Sequence, residues 1–284
     1  CRRLVRGAAA RAWLAVVVGL SLPVWFTFVQ GQVSLLALLL VALFLLDLRD
    51  GRTVRAGVWL GFLTFKPQLV PLLCAVLVAR RGWRTLGAAA VVTVALWAPS
   101  LAWLGENGIA RYGYVSWRMT SAFDELGVHP ARMYNLRALW LALAPDAATA
   151  STAIRVATLV AVALVLWMHR PHVVDARSQW AATVLALVLV SPHVNVHDVA
   201  LVVLPCALLL AGDGDRVPGG RLGVALALAL APLGSLLASA RLGWQAPVVP
   251  VVLAVALAGL VVRGGARIDP DAASGNMRDL PESA

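Results

Sequence analysis

The stretch Gly31–Arg84 reads GQVSLLALLLVALFLLDLRDGRTVRAGVWLGFLTFKPQLVPLLCAVLVARRGWR. It contains one apolar run, an arginine-rich turn, and a second apolar segment, Ala56–Ala79, whose middle is Phe65-Lys66-Pro67-Gln68. A bilayer offers no water to backbone N–H and C=O groups, so apolar segments of this kind cross it as helices. The stretch therefore predicts membrane helices, one of them broken near mid-depth by a charge and a proline.

Arginines flank the segment Ala56–Ala79 on both sides. A single crossing there would place every later arginine cluster outside, against the rule that basic loops stay cytoplasmic. We therefore expect a re-entrant hairpin or a broken helix pair that returns to the cytoplasm. We also expect Lys66, the only lysine of the chain, to face a hydrated pocket for an anionic lipid headgroup. The alternative is a lysine that snorkels to an interface or pairs within the bundle.

Composition around this stretch excludes a soluble globular protein. The 284 residues are 61% hydrophobic and 13% charged, with a mean hydropathy of +0.82, whereas a soluble domain is nearer half apolar and a quarter charged. The net charge is +10, but the arginines lie in short clusters between apolar runs. That pattern is typical of membrane topology and not of nucleic-acid binding. The three cysteines indicate neither a disulfide framework nor a zinc site.

Apolar runs recur along the whole chain. We predict an all-α fold, a polytopic integral membrane helical bundle with about eight crossings besides the broken pair. It would occupy residues 1–262 in the cell membrane, multi-pass, with both ends of this chain cytoplasmic. Residues 100–150 are predicted as an aromatic-rich extracytoplasmic loop, and 263–284 as a disordered cytoplasmic tail. The predicted crossings lie near 12–28, 33–46, 85–99, 152–168, 178–190, 198–211, 222–240 and 247–262.

A second polar motif, Ser191–Asp198, reads SPHVNVHD. Ser191 can cap a helix with Pro192 in its first position, which would place His193 and His197 on one helix face at the outer rim. Imidazoles there can move a proton or donate to a phosphate. The alternative is a pair of histidines hydrogen-bonded to loops. We expect no metal, because the glutamate of the metalloprotease motif is absent.

Other polar groups are weaker candidates. Gln32 follows Gly31 in a short turn, and its amide can bind sugar hydroxyls or cap a helix. No phosphate loop, nucleotide-binding glycine fingerprint or metal-ligand array is present in the sequence. We therefore expect no cofactor and an activated substrate that supplies its own energy. Four outer acids are possible general bases, although solvated loop acids are common: Glu106, Asp124, Glu125 and Asp146.

The stretch Gly31–Arg84 resembles the central signature of glycosyltransferase family 87. There a Gly-Gln pair opens an apolar helix, an arginine-rich turn follows, and an Ala-Gly…Leu-Gly…Lys-Pro stretch closes at RRxWR. Ser191–Asp198 is similar to the family's later Ser-Pro…His element. The resemblance implies a GT-C type membrane transferase that moves mannose, or a related hexose, from a polyprenyl-phosphate sugar donor to a glycolipid or lipoglycan acceptor outside the membrane, with inversion at the sugar carbon. Its partners would be these substrates and membrane lipids, without nucleic acid.

The resemblance also suggests roles for individual residues. His193 and His197 would be catalytic, and residues 100–150 would cover the acceptor. Such enzymes carry their principal acid in the first outer loop, and Val29–Gln32 has none. Since the chain starts at Cys1, we expect earlier crossings and that acid to lie upstream. The substrate-binding candidates are Gln32, Lys66, Gln68, Asn195 and Arg118.

Two other classes of function remain open from the sequence. A transporter or lipid flippase also uses broken helices and charges at mid-depth, although no second broken segment appears in the later half of the chain. A non-catalytic membrane subunit would account for the missing acid.

Overall fold

The computed structural model describes residues 5, 7–121, 133–144, 146–171, 173–211, 219–242 and 247–265. Within these residues the fold is all-α, as predicted, and short 3₁₀ turns interrupt it near Lys66 and after Asn195. The helices are α1 (Ala8–Leu20), α2 (Leu22–Val29), α3 (Ser34–Arg49), α4 (Thr53–Phe62), α5 (Val70–Ala79), α6 (Trp83–Ser121), α7 (Leu136–Leu143), α8 (Ala147–Met168), α9 (Ala176–Val190), α10 (Val203–Leu210), α11 (Gly219–Leu242) and α12 (Val248–Gly265).

The prediction of membrane helices is confirmed, but the number of crossings is not. In the described part of the chain, three helices are long and apolar enough to cross a bilayer: Trp83–Val115, Ala147–Met168 and Gly219–Arg241. The pair α1 and α2, bent by 58°, would make a fourth. Other apolar helices, among them α9 and α12, are shorter than the roughly 20 residues that a crossing needs.

The core lies around α9 and α10. Every residue from Ala181 to Leu189 is buried, because this part of α9 is almost entirely apolar and the helix packs against α8, α10 and α12. By contrast, α6 and α8 leave apolar side chains exposed, such as Val91 and Leu159. Exposed apolar faces on long apolar helices are suited to contact with lipid.

The segment Ala56–Ala79 is broken where the sequence predicts it. α4 ends at Phe62, two 3₁₀ turns follow, and Lys66 between them has a non-helical backbone (φ −117°, ψ 74°). Pro67, which cannot donate a backbone hydrogen bond, starts the second turn. The break thus coincides with the one charge in the segment.

The chain doubles back at this break. Thr53 at the start of α4 and Leu77 near the end of α5 line the same cavity, so the two ends of the hairpin lie together. α4 and α6 run parallel, since Gly57 lies against Ala88 and Gly61 lies against Val92. We call α4, the two 3₁₀ turns and α5 the Lys66 hairpin.

Many of the basic residues gather at the open end of this hairpin. Asp47, which is 3% exposed, accepts a hydrogen bond from the Trp59 indole at 2.7 Å and pairs with Arg52 and Arg55. These contacts fix α3 against α4. We call this region the arginine-rich end, and its described members include Arg49, Arg52, Arg55, Arg80 and Arg177.

His169 is buried at this end, directly after α8. Its Nδ1 lies 3.3 Å from an Arg80 nitrogen, and its Nε2 lies 2.8 Å from the Thr183 hydroxyl. Because the guanidinium can only donate, Nδ1 accepts and Nε2 carries the hydrogen. Burial and then the Arg80 charge lower the pKa of His169 from 6.5 to about 4. The imidazole is therefore neutral at pH 7.

We expect acid to destabilise the protein through His169. The unfolded chain binds this proton near pH 6.5 and the folded chain only near the lower pKa of about 4, so the stabilisation is complete above pH 6.5 and is lost as the pH falls towards 4. Between pH 7 and pH 5 the loss should be roughly 2 kcal/mol. Thermal or denaturant unfolding at both pH values measures it. His169→Gln should have a smaller pH dependence, and an unchanged slope would contradict the assignment.

The stretch predicted as the loop 100–150 is largely helical instead. α6 continues through Pro99 to Ser121, with a kink at Gly105, whose φ is +62°. α7 and the start of α8 occupy its later part, and residues 122–132 lie outside the described residues. Of the predicted tail 263–284, residues 263–265 belong to α12. The rest of the tail, residues 266–284, lies outside the described residues.

Candidate functional site

Three polar side chains meet at the tip of the Lys66 hairpin. The Lys66 ammonium pairs with the Asp198 carboxylate and donates to the Ser34 hydroxyl at 2.7 Å. The Ser34 hydroxyl in turn donates to Asp198 Oδ1 at 2.8 Å. Ser34 is fully buried, and Lys66 and Asp198 are only 9% and 7% exposed. We call these three residues the Lys66 cluster.

The cluster joins two parts of the chain that are far apart in sequence. Lys66 and Asp198 are separated by 132 residues. The sequence motifs around each were predicted separately, and the structure places them in direct contact. A buried ion pair of this kind tolerates the loss of neither partner, because the remaining charge would be left without compensation.

Asp198 holds its position because it also starts a helix. The 3₁₀ helix Val196–Val202 begins after Asn195, whose backbone N–H donates to Asp198 Oδ2 at 3.2 Å in a capping box. The prediction that Ser191 and Pro192 begin this helix is therefore wrong, because residues 191–195 are not helical. For the same reason, His193 and His197 do not share one helix face.

Neighbouring elements hold the segment before this helix. The buried Asn135 amide donates to the Ser191 carbonyl at 2.8 Å, and the Tyr134 N–H donates to the Val194 carbonyl at 2.9 Å. From the other side, the Thr27 hydroxyl lies 3.1 Å from the His197 carbonyl. Contacts from α2 and from the start of α7 thus fix the backbone that carries both histidines.

The Lys66 cluster lies far from the arginine-rich end. Ser34 is the first residue of α3 and Arg49 the last. At 1.5 Å per residue, the two ends of this helix are about 22 Å apart. The hairpin therefore reaches from the arginine-rich end to the far end of α3.

The ammonium of Lys66 is engaged by the protein itself. This corresponds to the alternative in which the lysine pairs within the bundle. Two cavities lie elsewhere in the described structure, and Lys66 lines neither of them. The expected hydrated pocket at Lys66 stays a prediction. The adjoining Phe65 is 39% exposed and Pro67 is also exposed, so the tip of the hairpin itself is accessible.

The two histidines differ in their relation to the cluster. His197 Nε2 lies 3.7 Å from Asp198 Oδ2, which makes His197 a direct neighbour of the ion pair. His193 precedes the helix and is half-buried. Burial and the charge of Arg137 lower the pKa of His193 from its ordinary value, against an opposing effect of Asp198. A neutral His193 could accept a proton at pH 7.

The other candidates lie near the cluster or apart from it. Gln32 is exposed, and its backbone N–H donates to the Thr27 carbonyl at 2.9 Å. Gln68 is half-buried in the 3₁₀ turn after Lys66, and Asn195 is exposed. Arg118 lies in the last turn of α6.

Among the candidate acids, none that the structure describes lies in the Lys66 cluster. Glu106 is exposed on α6, and Asp146 caps α8 through the Thr149 N–H at 2.8 Å. Asp124 and Glu125 lie outside the described residues. Sequence reasoning missed Asp198 and Ser34 as members of the site. The signal for Asp198 was its position three residues after Asn195, which is the spacing of a capping box.

Comparison with known proteins gives a family. The model of glycosyltransferase family 87 matches residues 1–192, which is more than half of the chain and includes Ser34 and Lys66. The match ends at Pro192, so His197 and Asp198 lie beyond it. No curated protein and no solved structure matches the chain. On the family match and its apolar helices, the chain belongs to glycosyltransferase family 87 and is a membrane glycosyltransferase.

Proposed function

We propose that this glycosyltransferase moves mannose, or a related hexose, from a polyprenyl-phosphate donor to a glycolipid or lipoglycan acceptor on the extracytoplasmic face. The observation that carries the proposal is the contact between the Lys66 hairpin and the segment with His197 and Asp198. It brings a cation, a carboxylate and an imidazole together at one end of the bundle. A lipid-phosphate donor needs these groups and no nucleotide pocket.

The proposed topology follows from the distribution of arginines. The arginine-rich end would be cytoplasmic, the Lys66 hairpin re-entrant, and the chain multi-pass. The Lys66 cluster would then face the extracytoplasmic side, about 22 Å away along α3. A lipid-linked sugar carrier has its phosphate at the membrane surface, which is the level at which the hairpin tip would lie.

In the reaction, the bond between the sugar C1 and the donor phosphate oxygen breaks as the acceptor hydroxyl oxygen attacks C1. The phosphate leaves with the bonding electrons, and its developing charge would be stabilised by the Lys66 ammonium. The acceptor proton passes to a base, and a neutral His193 or His197 could assist this step. Attack opposite the leaving phosphate inverts the configuration at C1.

Asp198 would act in this scheme as a positioning residue. Before the donor binds, it holds the Lys66 ammonium at the tip of the hairpin together with Ser34. A donor phosphate would join or replace Asp198 as the partner of Lys66. The ion pair is then the resting arrangement of the site, and its exchange sets the geometry for the donor.

A transfer assay with the full-length protein in detergent tests the proposal. Radiolabelled mannose on polyprenyl phosphate should pass to membrane glycolipid extracts, and the same sugar on GDP should not be used in the absence of other enzymes. Transfer from GDP-mannose alone would overturn the proposal. Movement of the donor across proteoliposomes without labelled product would instead indicate the transporter alternative.

A further inference from the structure

The arginine-rich end contains a cavity that plays no part in the proposed transfer. Its volume is about 620 Å³, and it lies between α3, the Lys66 hairpin, α6, α9 and α10. Three arginines are among its lining residues, which include no acid: Arg49, Arg80 and Arg177. This balance of charge makes the cavity electropositive.

Two helix ends add to this positive potential. Thr53 begins α4 and Gly82 directly precedes α6, and both line the cavity. The first turn of a helix carries backbone N–H groups without intrahelical partners and the positive end of the helix dipole. Ala176, which begins α9, also lines the cavity, but the Asp175 carboxylate caps that helix end. Helix N-termini that converge beside arginines are suited to bind an anion such as phosphate.

Arg80 is the central cation of the cavity. Its guanidinium lies 3.3 Å from His169 Nδ1 and 3.3 Å from the Gln179 amide oxygen, and it stacks 5.6 Å from the centre of the Trp180 ring. All three of these partners are neutral, because His169 is uncharged at pH 7. Within the described residues, therefore, no carboxylate pairs with Arg80.

A buried hydroxyl in the cavity wall is also without a partner. Thr85 is 1% exposed, and its Oγ1 has no hydrogen-bond partner among the described residues. Buried hydroxyls are nearly always hydrogen-bonded, and an unsatisfied one indicates a missing ligand, water or ion. Thr85 stands in the first turn of α6, where its hydroxyl and the free N–H groups of the helix can serve the same anion.

The remaining wall is apolar. Leucine side chains of α3, α5 and α10 line the cavity beside the arginines. A small inorganic anion would leave most of the 620 Å³ unfilled, whereas an amphiphile could place its charged head at the arginines and its chain along the leucines. The combination of basic and apolar walls is suited to a ligand with both characters.

We propose that this cavity binds a phosphate ester group, with Arg80 and Thr85 as its main contacts and Arg49 and Arg177 as supporting charges. The site is separate from the Lys66 cluster and does not depend on the proposed sugar transfer. Arg49 and Arg177 also serve the bundle, since Arg49 pairs with Asp50 and Arg177 donates to the Ala211 carbonyl at 2.7 Å. They contribute mainly through their charge, whereas Arg80 and Thr85 are available to donate.

Thermal unfolding of the full chain in neutral detergent tests this proposal. We expect phosphatidylglycerol to raise the midpoint in a saturable way, and zwitterionic phosphatidylcholine not to do so. Arg80→Gln and Thr85→Val should each raise the half-saturating concentration about tenfold, as expected for the loss of a hydrogen bond to a charged group. Arg84→Gln is the matched control, because Arg84 lies in the first turn of the same helix, is exposed and is not among the lining residues of the cavity.

Thr85→Val separates binding from folding. The hydroxyl has no partner in the protein, so this nearly isosteric change should leave the lipid-free midpoint unchanged or higher. The same unfolding experiment is repeated with inorganic phosphate in place of the lipid. If phosphate raises the midpoint equally and saturably, and Arg80→Gln and Thr85→Val weaken its effect in the same way, the ligand of the cavity is soluble phosphate. Two results would overturn the proposal. One is that phosphatidylglycerol does not raise the unfolding midpoint of the wild type. The other is that the half-saturating concentration is the same in Arg80→Gln, Thr85→Val and Arg84→Gln.

Discussion

Lys66→Gln should lower the turnover of sugar transfer by about 10²- to 10³-fold, which is the usual loss when one donor to a developing negative charge is removed. The ammonium is the only side-chain cation in the Lys66 cluster, and glutamine can restore a hydrogen bond but no charge. Initial rates at saturating polyprenyl-phosphate-mannose measure the effect on the chemical step. A variant of unchanged turnover would remove Lys66 from the reaction.

Stability must be separated from catalysis in this variant. Loss of Lys66 leaves the buried Asp198 carboxylate without a compensating positive charge, and breaking a buried ion pair in this way costs about 3–5 kcal/mol. We therefore expect Lys66→Gln and Asp198→Asn each to unfold more easily than the wild type. The double variant, Lys66→Gln with Asp198→Asn, removes both charges and should regain most of this stability.

The double variant distinguishes a structural ion pair from a donor site. If Lys66 binds the donor phosphate, the double variant will be folded and still inactive. If the pair serves only to hold the hairpin to the 3₁₀ helix, activity will return together with stability. Asp198→Asn alone keeps the ammonium, so as a positioning variant it should weaken donor binding and retain more turnover than Lys66→Gln.

The sequence predicted the class of fold well, because in a bilayer hydropathy leaves few choices. Apolar runs must form helices there, and the break at Lys66 followed from a charge and a proline in one segment. The number of crossings could not be predicted in the same way. The residues of α9 and α10 are as apolar as a membrane span, but they are buried within the bundle, and hydropathy alone does not distinguish protein from lipid as the apolar surroundings.

The site was predicted only in part. Both motifs were identified, but the pairing of Lys66 with Asp198 depends on tertiary contact across 132 residues, which no local pattern encodes. The two histidines were assigned to one helix face because Ser191-Pro192 is a good helix start. In the structure, the capping box between Asn195 and Asp198 starts the helix later. Both Ser191 and Asn195 are good residues to cap a helix, and the sequence alone does not show which of them is used.

Gly61→Ala should destabilise the bundle by about 1–3 kcal/mol, the usual cost of overpacking. A Cβ at this position would lie 2.5 Å from Val92 Cβ and 2.9 Å from the Ala89 carbonyl oxygen on α6. Gly57, one turn earlier, is similarly close to α6. Small residues four apart let two membrane helices approach closely, and here they bring the Lys66 hairpin against α6. The thermal midpoint of the detergent-purified protein measures the loss.

The matched control is Gly87→Ala on α6, where an added Cβ meets nothing within 4 Å. Alanine is a better helix former than glycine by roughly 1 kcal/mol, so this control should be neutral or stabilising. The two substitutions are chemically identical and should have opposite signs, which isolates the close approach of α4 to α6. Because α4 carries Lys66 to its site, Gly61→Ala should also lower sugar transfer. Equal midpoints for the two variants would show that α4 and α6 are not in close contact.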